Sequence, residues 1–261
     1  MNRVNLGLIG NPLSHTFSPG FFAQKFMQKG IDYIQYLPYE LTDIADVIAL
    51  IKEKNLSGFN VTIPFKEKIV PLCHELSPEA RAIGAVNCVV VKRKHNQMEL
   101  IGHNTDCIGF ELSIQKYAFK PTDRALIIGS GGSAKAVSYA LKKMGLTTAI
   151  ASRDESKGQF IYGADIPLEE FAILVQCSPV GMYPNSEECP EIPYQRLQRG
   201  QIVYDLIYNP AKTRFLQNAW NAGCRTQNGL EMLIHQAEES WEIWKRFELF
   251  EEPPDNTGPK T

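Results

Sequence analysis

The sequence lacks a CxxC pair, an excess of basic charge, an internal repeat and a low-complexity linker. It also lacks an apolar run near the roughly 18 residues that a membrane helix requires. Each absence removes a class of function. Six cysteines (Cys73, Cys88, Cys107, Cys177, Cys189 and Cys224) are scattered through 261 residues, so neither a zinc ribbon nor a disulfide scaffold is expected. Reduced thiols in the cytoplasm are expected instead. A formal net charge of −2 leaves no basic stripe for nucleic acid or an anionic bilayer, and small molecules become the expected partners. The opening MNRVNLGLIG is interrupted by glycine too early to read as a secretory leader. The five histidines (His15, His74, His95, His103 and His235) show no metal-ligand spacing and are read as structural. The closing stretch EEPPDNTGPKT, residues 251–261, has the composition of a disordered tail.

What is present is an alternation of strands and helices, with 44% hydrophobic residues to supply one large core or two modest ones. VNLGLIG reads as a strand. SPGFFAQKFMQKG follows as a helix, with Ser18 as N-cap, Pro19 in its first turn, Phe22 and Phe26 on one face and Gly30 as its stop. YIQYLPYE is a second strand, TDIADVIALIKEKN a helix behind a Thr42 cap, and LSGFNVTI a third strand. Such alternation predicts right-handed crossovers and a mainly parallel sheet, whose ligands bind at the carboxyl ends of the strands. Lys66, just past the third strand, stands at such an end. Further on come a short helix at Ser77 and Pro78, a hairpin around His95 and Asn96, and a helix in NTDCIGFELSIQKY. A second α/β unit follows: RALIIG, the helix GGSAKAVSYALKKMG stopped by Gly145, and TTAIASR, then FAILVQCSPVGM, GQIVYDLIYNP and the helix TRFLQNAWNAG. The long amphipathic segment GLEMLIHQAEESWEIWKRF completes the pattern, with Leu233, Trp241, Trp244 and Phe247 as core contacts.

IIGSGGSAKAV fits G-x-G-x-x-A through Gly129, Gly131 and Ala134, with a strand before it and a helix after it. Backbone amides around Ser130, Gly132 and Ser133, at the positive end of the helix, suit a pyrophosphate. A glycine turn that merely joins strand to helix is the alternative. At the end of the next strand, ASRDESK offers Ser152, and Arg153 and Lys157 as positive charge for the extra phosphate of NADP, while Asp154 would repel it. NADP is favoured over NAD, against a plain solvated turn. Between Arg153 and the strand at Leu174 the chain is too short for another helical crossover and a further strand, so a trimmed dinucleotide domain with an open adenosine pocket is expected.

Taken together, GNPLSHTFSP, GFNVTIPFKEK, IGAVN, NTDCIGF, GSGGSAKAV, YNPAKT and GLEMLIHQA, in that order, resemble the shikimate dehydrogenase family over nearly the whole chain. The resemblance implies a two-domain α/β fold: an N-terminal substrate domain formed by residues 1–106 plus 229–250, and a Rossmann-like NADP-binding domain at residues 107–228. It implies a final helix packing back on the first domain. It also implies NADP-dependent reduction of 3-dehydroshikimate to shikimate in aromatic amino-acid biosynthesis, by a monomer or homodimer. Carried over by position, it makes Lys66 and Asp106 the catalytic pair: a proton must reach the ketone oxygen as hydride arrives, and a carboxylate would keep the ammonium charged and directed. Which of the two moves the proton stays open, and a surface salt bridge is the bland alternative. Thr16, Ser18, Thr62, Asn87, Tyr208 and Gln236 fall on the family's substrate positions, while Ile207 and Gly229 fall beside the nicotinamide. Ser18 could equally cap its helix, Thr62 favour a strand, Asn87 end one and Gln236 be solvated.

The chain departs from the family at Thr16, where serine is usual, at Gln176, Cys177 and Ser178, which replace asparagine, alanine and threonine, and at SRD for NRT. Two other readings follow: an enzyme acting on quinate or aminoshikimate, suggested by the extra methyl of Thr16, and a shikimate-binding protein with impaired cofactor binding.

Overall fold

The structure, a computed structural model, describes residues 3–13, 16–94, 97–163 and 165–251. His15, the expected hairpin turn at His95 and Asn96, and the expected tail beyond Glu251 lie outside them. The chain divides into two compact units, one formed by Met1–Thr105 with the chain from Ala237 onward, the other by Asp106–Gln236.

The first unit contains β1 (Val4–Gly10), α1 (Ser18–Lys29), β2 (Ile34–Glu40), α2 (Val47–Glu53), β3 (Leu56–Val61), β4 (Glu75–Leu76), α3 (Pro78–Ile83), β5 (Cys88–Lys94) and β6 (Gln97–His103). Its sheet runs β2-β1-β3-β5-β6-β4. β1 pairs in parallel with β2 and β3, whereas β5 is antiparallel to both β3 and β6. Two expected caps differ. Phe17, not Ser18, is the N-cap of α1, in a helical conformation that leaves no side-chain cap, so the Ser18 hydroxyl is spared that task. The expected Thr42 helix opens instead with a 3₁₀ turn at Ile44–Asp46, capped by Asp43, whose carboxylate accepts from the Ala45 amide at 3.0 Å.

The second unit contains α4 (Asp106–Ile114), β7 (Arg124–Ile128), α5 (Gly132–Lys143), β8 (Thr147–Ser152), β9 (Phe160–Ile161), β10 (Ile173–Gln176), β11 (Ile202–Asp205), α6 (Arg214–Asn221), β12 (Arg225–Gln227) and the start of α7 (Leu230–Arg246). Its sheet, β12-β11-β10-β7-β8-β9, is parallel at every pairing. Leu126, Ile128, Leu174 and Val203 are fully buried, as expected of strands covered on both faces. Among the described residues no α-helix separates β8 from β10. Short 3₁₀ turns and the two-residue β9 stand there instead.

The later half of α7 belongs to the first unit, where Trp241 and Trp244 are buried against Phe22 and Tyr36. Phe22 stacks on Tyr36 at 4.4 Å between ring centroids and meets Trp244 at 5.6 Å. Such pairs contribute about 0.5–1.5 kcal/mol each beyond the area they bury. The Trp244 indole N–H donates to the Val89 carbonyl at 3.1 Å, so the polar edge of this large side chain is satisfied.

Candidate active site

In the first unit, the chain leaves β3 at Val61 and makes a turn stitched by Phe65 N–H to the Thr62 carbonyl and Ile69 N–H to the Phe65 carbonyl, each 2.9 Å. Phe65 and Ile69 are buried, which anchors the turn on both sides of a half-buried Lys66. The Val86 amide donates to the Lys66 carbonyl at 2.8 Å, tying that turn to the segment that enters β5.

The residue after Val86 is Asn87, the hub of a buried polar network. Its amide nitrogen donates to Thr105 Oγ1 at 2.9 Å, and its Oδ1 accepts from the Thr105 amide at 2.6 Å. Asn60, inside β3, donates to the Asn87 carbonyl at 3.0 Å and to Ser240 Oγ at 2.9 Å, and accepts from the Tyr36 hydroxyl at 2.9 Å. Thr105 and Ser240 hydroxyls lie 3.3 Å apart. Each group here is taken from water and must be partnered, so the network specifies one arrangement of these strands. Burial drives the Tyr36 phenol pKa well up, and the Ser18 side chain pulls it partly back, which places Ser18 at the Tyr36 hydroxyl. Asn87 and Ser18 thus belong to one polar cluster, and Thr62 and Lys66 follow β3 on the turn tied to it through Val86. Thr16 is half-buried in the loop before α1. Asn60, Tyr36, Thr105 and Ser240 were not expected from the sequence. Only Asn60 left a signal, a polar residue inside an apolar strand.

Asp106 directly follows Thr105 and opens α4 at 4% exposure. A helix N-terminus favours a carboxylate. Gly109, one turn further along α4, runs so close to α7 that a Cβ there would come within 3.0 Å of the Met232 carbonyl and the Gln236 amide. Asp106 and Gln236 therefore flank one helix crossing of the second unit. The Gln236 side-chain amide donates to the Leu233 carbonyl at 2.9 Å.

The glycine loop stands where β7 hands over to α5. Gly129 has φ +116°, and a Cβ on it would meet the Ser178 amide at 3.1 Å; at Gly131 a Cβ would meet nothing within 4 Å. The first glycine lets β10's loop approach, the second leaves backbone open on the outer side, and Ala134 lies buried against the sheet. That division of labour suits a pyrophosphate at the N-terminus of α5. Ser130 and Ser152 hydroxyls are 3.3 Å apart. The Gln176 side chain accepts from the Ser178 amide and donates to the Val180 carbonyl, each at 3.0 Å, so the longer amide fixes the loop after β10.

Charge at the end of β8 sorts itself. Asp154 accepts from the Ser156 hydroxyl and amide and pairs with Lys157 Nζ at 3.0 Å. Its carboxyl is held down at about 2, the Ser156 hydroxyl being the largest cause. Arg153 is exposed and carries no ion pair among the described residues. The acid that would repel a phosphate is thus answered by Lys157, and the guanidinium remains for an anion. These residues fit the adenosine phosphate of NADP.

At the other side of the sheet, Asp205 ends β11 fully buried, accepting from the Thr213 hydroxyl at 2.6 Å and from the Ile207 amide at 3.0 Å. This holds the bend that presents Ile207, buried, and Tyr208, half-buried. The Gly229 amide donates to the Ile207 carbonyl at 3.2 Å just before α7. Burial pushes the Asp205 carboxyl up to about 7, while the Thr213 and Ile207 hydrogen bonds pull it back in part. In the unfolded chain an aspartate titrates near 3.9. Between about pH 4 and pH 7 the folded state therefore holds a proton that the unfolded state has lost, and this group's contribution to stability declines as pH rises through that window. Asn at this position mimics the protonated acid. Asp205→Asn should gain stability over the parent chain between pH 4 and 7, with no further gain above. Urea midpoints at pH 4.5 and 7.5 check this; parallel curves would refute it.

Among the described residues no group of histidine, cysteine, aspartate or glutamate could hold a metal ion, and no helix is long and apolar enough to cross a membrane.

A parallel sheet with a glycine loop at the β7–α5 junction places the chain among the dinucleotide-dependent oxidoreductases of the α/β class. Residues 8–89 match the family model described as shikimate dehydrogenase substrate binding domain. The shikimate dehydrogenase (NADP(+)) of Carboxydothermus hydrogenoformans is 37% identical over 257 residues, covering 91% of this chain and 90% of that protein. A shikimate dehydrogenase crystallised with NADP+ superposes with a TM-score of 0.80 at 31% identity, covering 94% of this chain and 90% of the other. The Thermus thermophilus enzyme, crystallised with NADP(H) and shikimate, gives 0.80 at 28% identity, covering 93% and 94%. The chain belongs to the shikimate dehydrogenase family.

Proposed function

We propose that this chain catalyses the reversible reduction of 3-dehydroshikimate to shikimate in the cytoplasm, as a step of aromatic amino-acid biosynthesis, with NADP as its cofactor. The reading is carried by the turn at Lys66, tied through Val86 and Asn87 to Thr105, the residue before Asp106. Residues 1–106 with 229–250 act as the substrate-binding part and 107–228 as the cofactor-binding part.

The reduced nicotinamide, when bound, supplies the hydride. The Lys66 ammonium donates a proton to the ketone oxygen as its negative charge develops, and recovers it in the reverse direction. Asp106 is the carboxylate assigned as the orienting partner of that ammonium. Thr16 and Ser18 hydroxyls donate to the ring carboxylate, and Thr62, Asn87, Tyr208 and Gln236 pair with the ring hydroxyls. Gly129, Ser130, Gly131, Gly132, Ser133 and Ala134 would hold the pyrophosphate of the cofactor, Ser152, Arg153 and Lys157 its adenosine phosphate, and Ile207 and Gly229 would border its nicotinamide.

Assay of shikimate and quinate, each with NADP and with NAD, tests the reading. Fastest turnover is expected with shikimate and NADP. A quinate preference would assign the methyl of Thr16 a selective role, and binding of shikimate without turnover on any pair would reject the enzyme. Arg153→Ala should raise KM for NADP by about tenfold or more, the loss of a charge-assisted contact, and leave KM for NAD nearly unchanged. Equal effects on both would remove Arg153 from the phosphate.

A further inference from the structure

The short passage from β8 to β9 does something that a full helical crossover would not. β9 pairs in parallel with β8, Ala151 beside Phe160 and Ser152 beside Ile161, although only residues 153–159 connect them. A parallel connection ordinarily takes about a dozen residues or more. Here a 3₁₀ turn at Glu155–Lys157 and the Gln159 side chain, which accepts from the Ile150 amide at 2.7 Å, fold the link back on itself. One step further along the same register, Tyr162 falls beside Arg153. The Tyr162 amide donates to the Ser152 carbonyl at 3.3 Å, and the chain then turns away at Gly163, whose φ is +78°.

The ring of Tyr162 is half-buried and packs on the second unit's core. Burial raises its phenol pKa, and a hydrogen bond with the Ser178 side chain and the Arg153 charge lower it, which places Ser178 at the hydroxyl and Arg153 within electrostatic reach of it. Ser178 follows β10, with its amide against Gly129. The phenol thus spans from the end of β8 to the end of β10, across the glycine loop between them. That is the crevice where strand order reverses, the place where such sheets receive a nucleotide.

We propose that Tyr162 is a further binding residue of the cofactor site, its ring forming the wall for the adenine base where, among the described residues, no crossover helix stands. This rests on the NADP reading above. A planar aromatic face suits a purine, and its contact is indifferent to the phosphate on the ribose. Arg153 would then hold the phosphate and Tyr162 the base, two neighbouring side chains with separable effects.

Adenosine 2′,5′-bisphosphate titrated calorimetrically into the intact protein tests this. Loss of the ring in Tyr162→Leu, which keeps apolar bulk on the core, should weaken binding about 10- to 100-fold, as removal of a stacked aromatic does. Tyr162→Phe should stay within about threefold of the parent, since the face is retained. KM for NAD and for NADP should rise by similar factors in Tyr162→Leu, unlike Arg153→Ala, and KM for shikimate should not change. Unchanged binding in Tyr162→Leu overturns the proposal. Tighter binding also overturns it, by showing that the ring plugs the crevice. Should the parent protein itself fail to bind the bisphosphate, the NADP reading falls with it, which is a different result from parent binding that Tyr162→Leu leaves intact.

Discussion

Lys66→Ala should lower kcat by about 10²- to 10⁴-fold while KM for 3-dehydroshikimate changes little. The asymmetry follows from when the interaction is made. The ground-state ketone is neutral and gains little from a nearby ammonium, whereas the oxygen acquires charge as hydride arrives, so donation by Lys66 stabilises chiefly the transition state. The half-buried side chain sits on a turn fixed by buried Phe65 and Ile69, so truncation should not disturb the fold. Steady-state kinetics in both directions, with the thermal midpoint as a control, decide the matter. A large rise in KM with kcat preserved would make Lys66 a binding residue and return the proton transfer to Asp106.

Gly229→Ala is the second large effect. A Cβ at this position would lie closer than 3.0 Å to both the carbonyl oxygen and the carbonyl carbon of Leu206. Those are backbone atoms, held by the Leu206 amide bonded to the Gln176 carbonyl at 2.9 Å and by the Asp205 bend beyond β11. Neither yields by a rotamer change, so the start of α7 must shift away from Ile207. Overpacking of this kind costs about 1–3 kcal/mol, which for a chain of this size is a fall of several degrees in Tm. Because the start of α7 then parts from the Ile207 carbonyl that its Gly229 amide bonds, and Tyr208 follows Ile207, affinity for NADP and for shikimate should fall together. A variant with the parent's Tm and both KM values unaltered would show that the close approach is relaxed in solution.

Features with a local mechanism were legible in the sequence. The glycine loop could be read because each position answers a nearby demand: Gly129 for its positive φ and close neighbour, Ala134 for packing, and the flanking strand and helix by their own periodicity. Lys66 could be placed at a strand's carboxyl end for the same reason. The polar network could not. Asn60 is partnered by Ser240, 180 positions away, and by the Asn87 carbonyl, 27 away, and no spacing rule joins them. Ser18 misled because it satisfies the composition of an N-cap, yet Phe17 takes that place and Ser18 turns to Tyr36. Tyr162 was invisible for another reason: its importance comes from register across a two-residue parallel pair, and such brief strands as β4 and β9 carry too few side chains to show a period.

The last helix begins in one unit and ends as core of the other. During synthesis, Phe22 and Tyr36 emerge more than 200 positions before Trp241 and Trp244, against which they close. The first unit therefore waits, with an open apolar face, until α7 has been made. A product halted at residue 236 should be digested by protease at doses that spare the whole chain, and survival of that fragment would refute the delay. Selection on such a protein would act on its last helix as a folding clasp as much as on its chemistry.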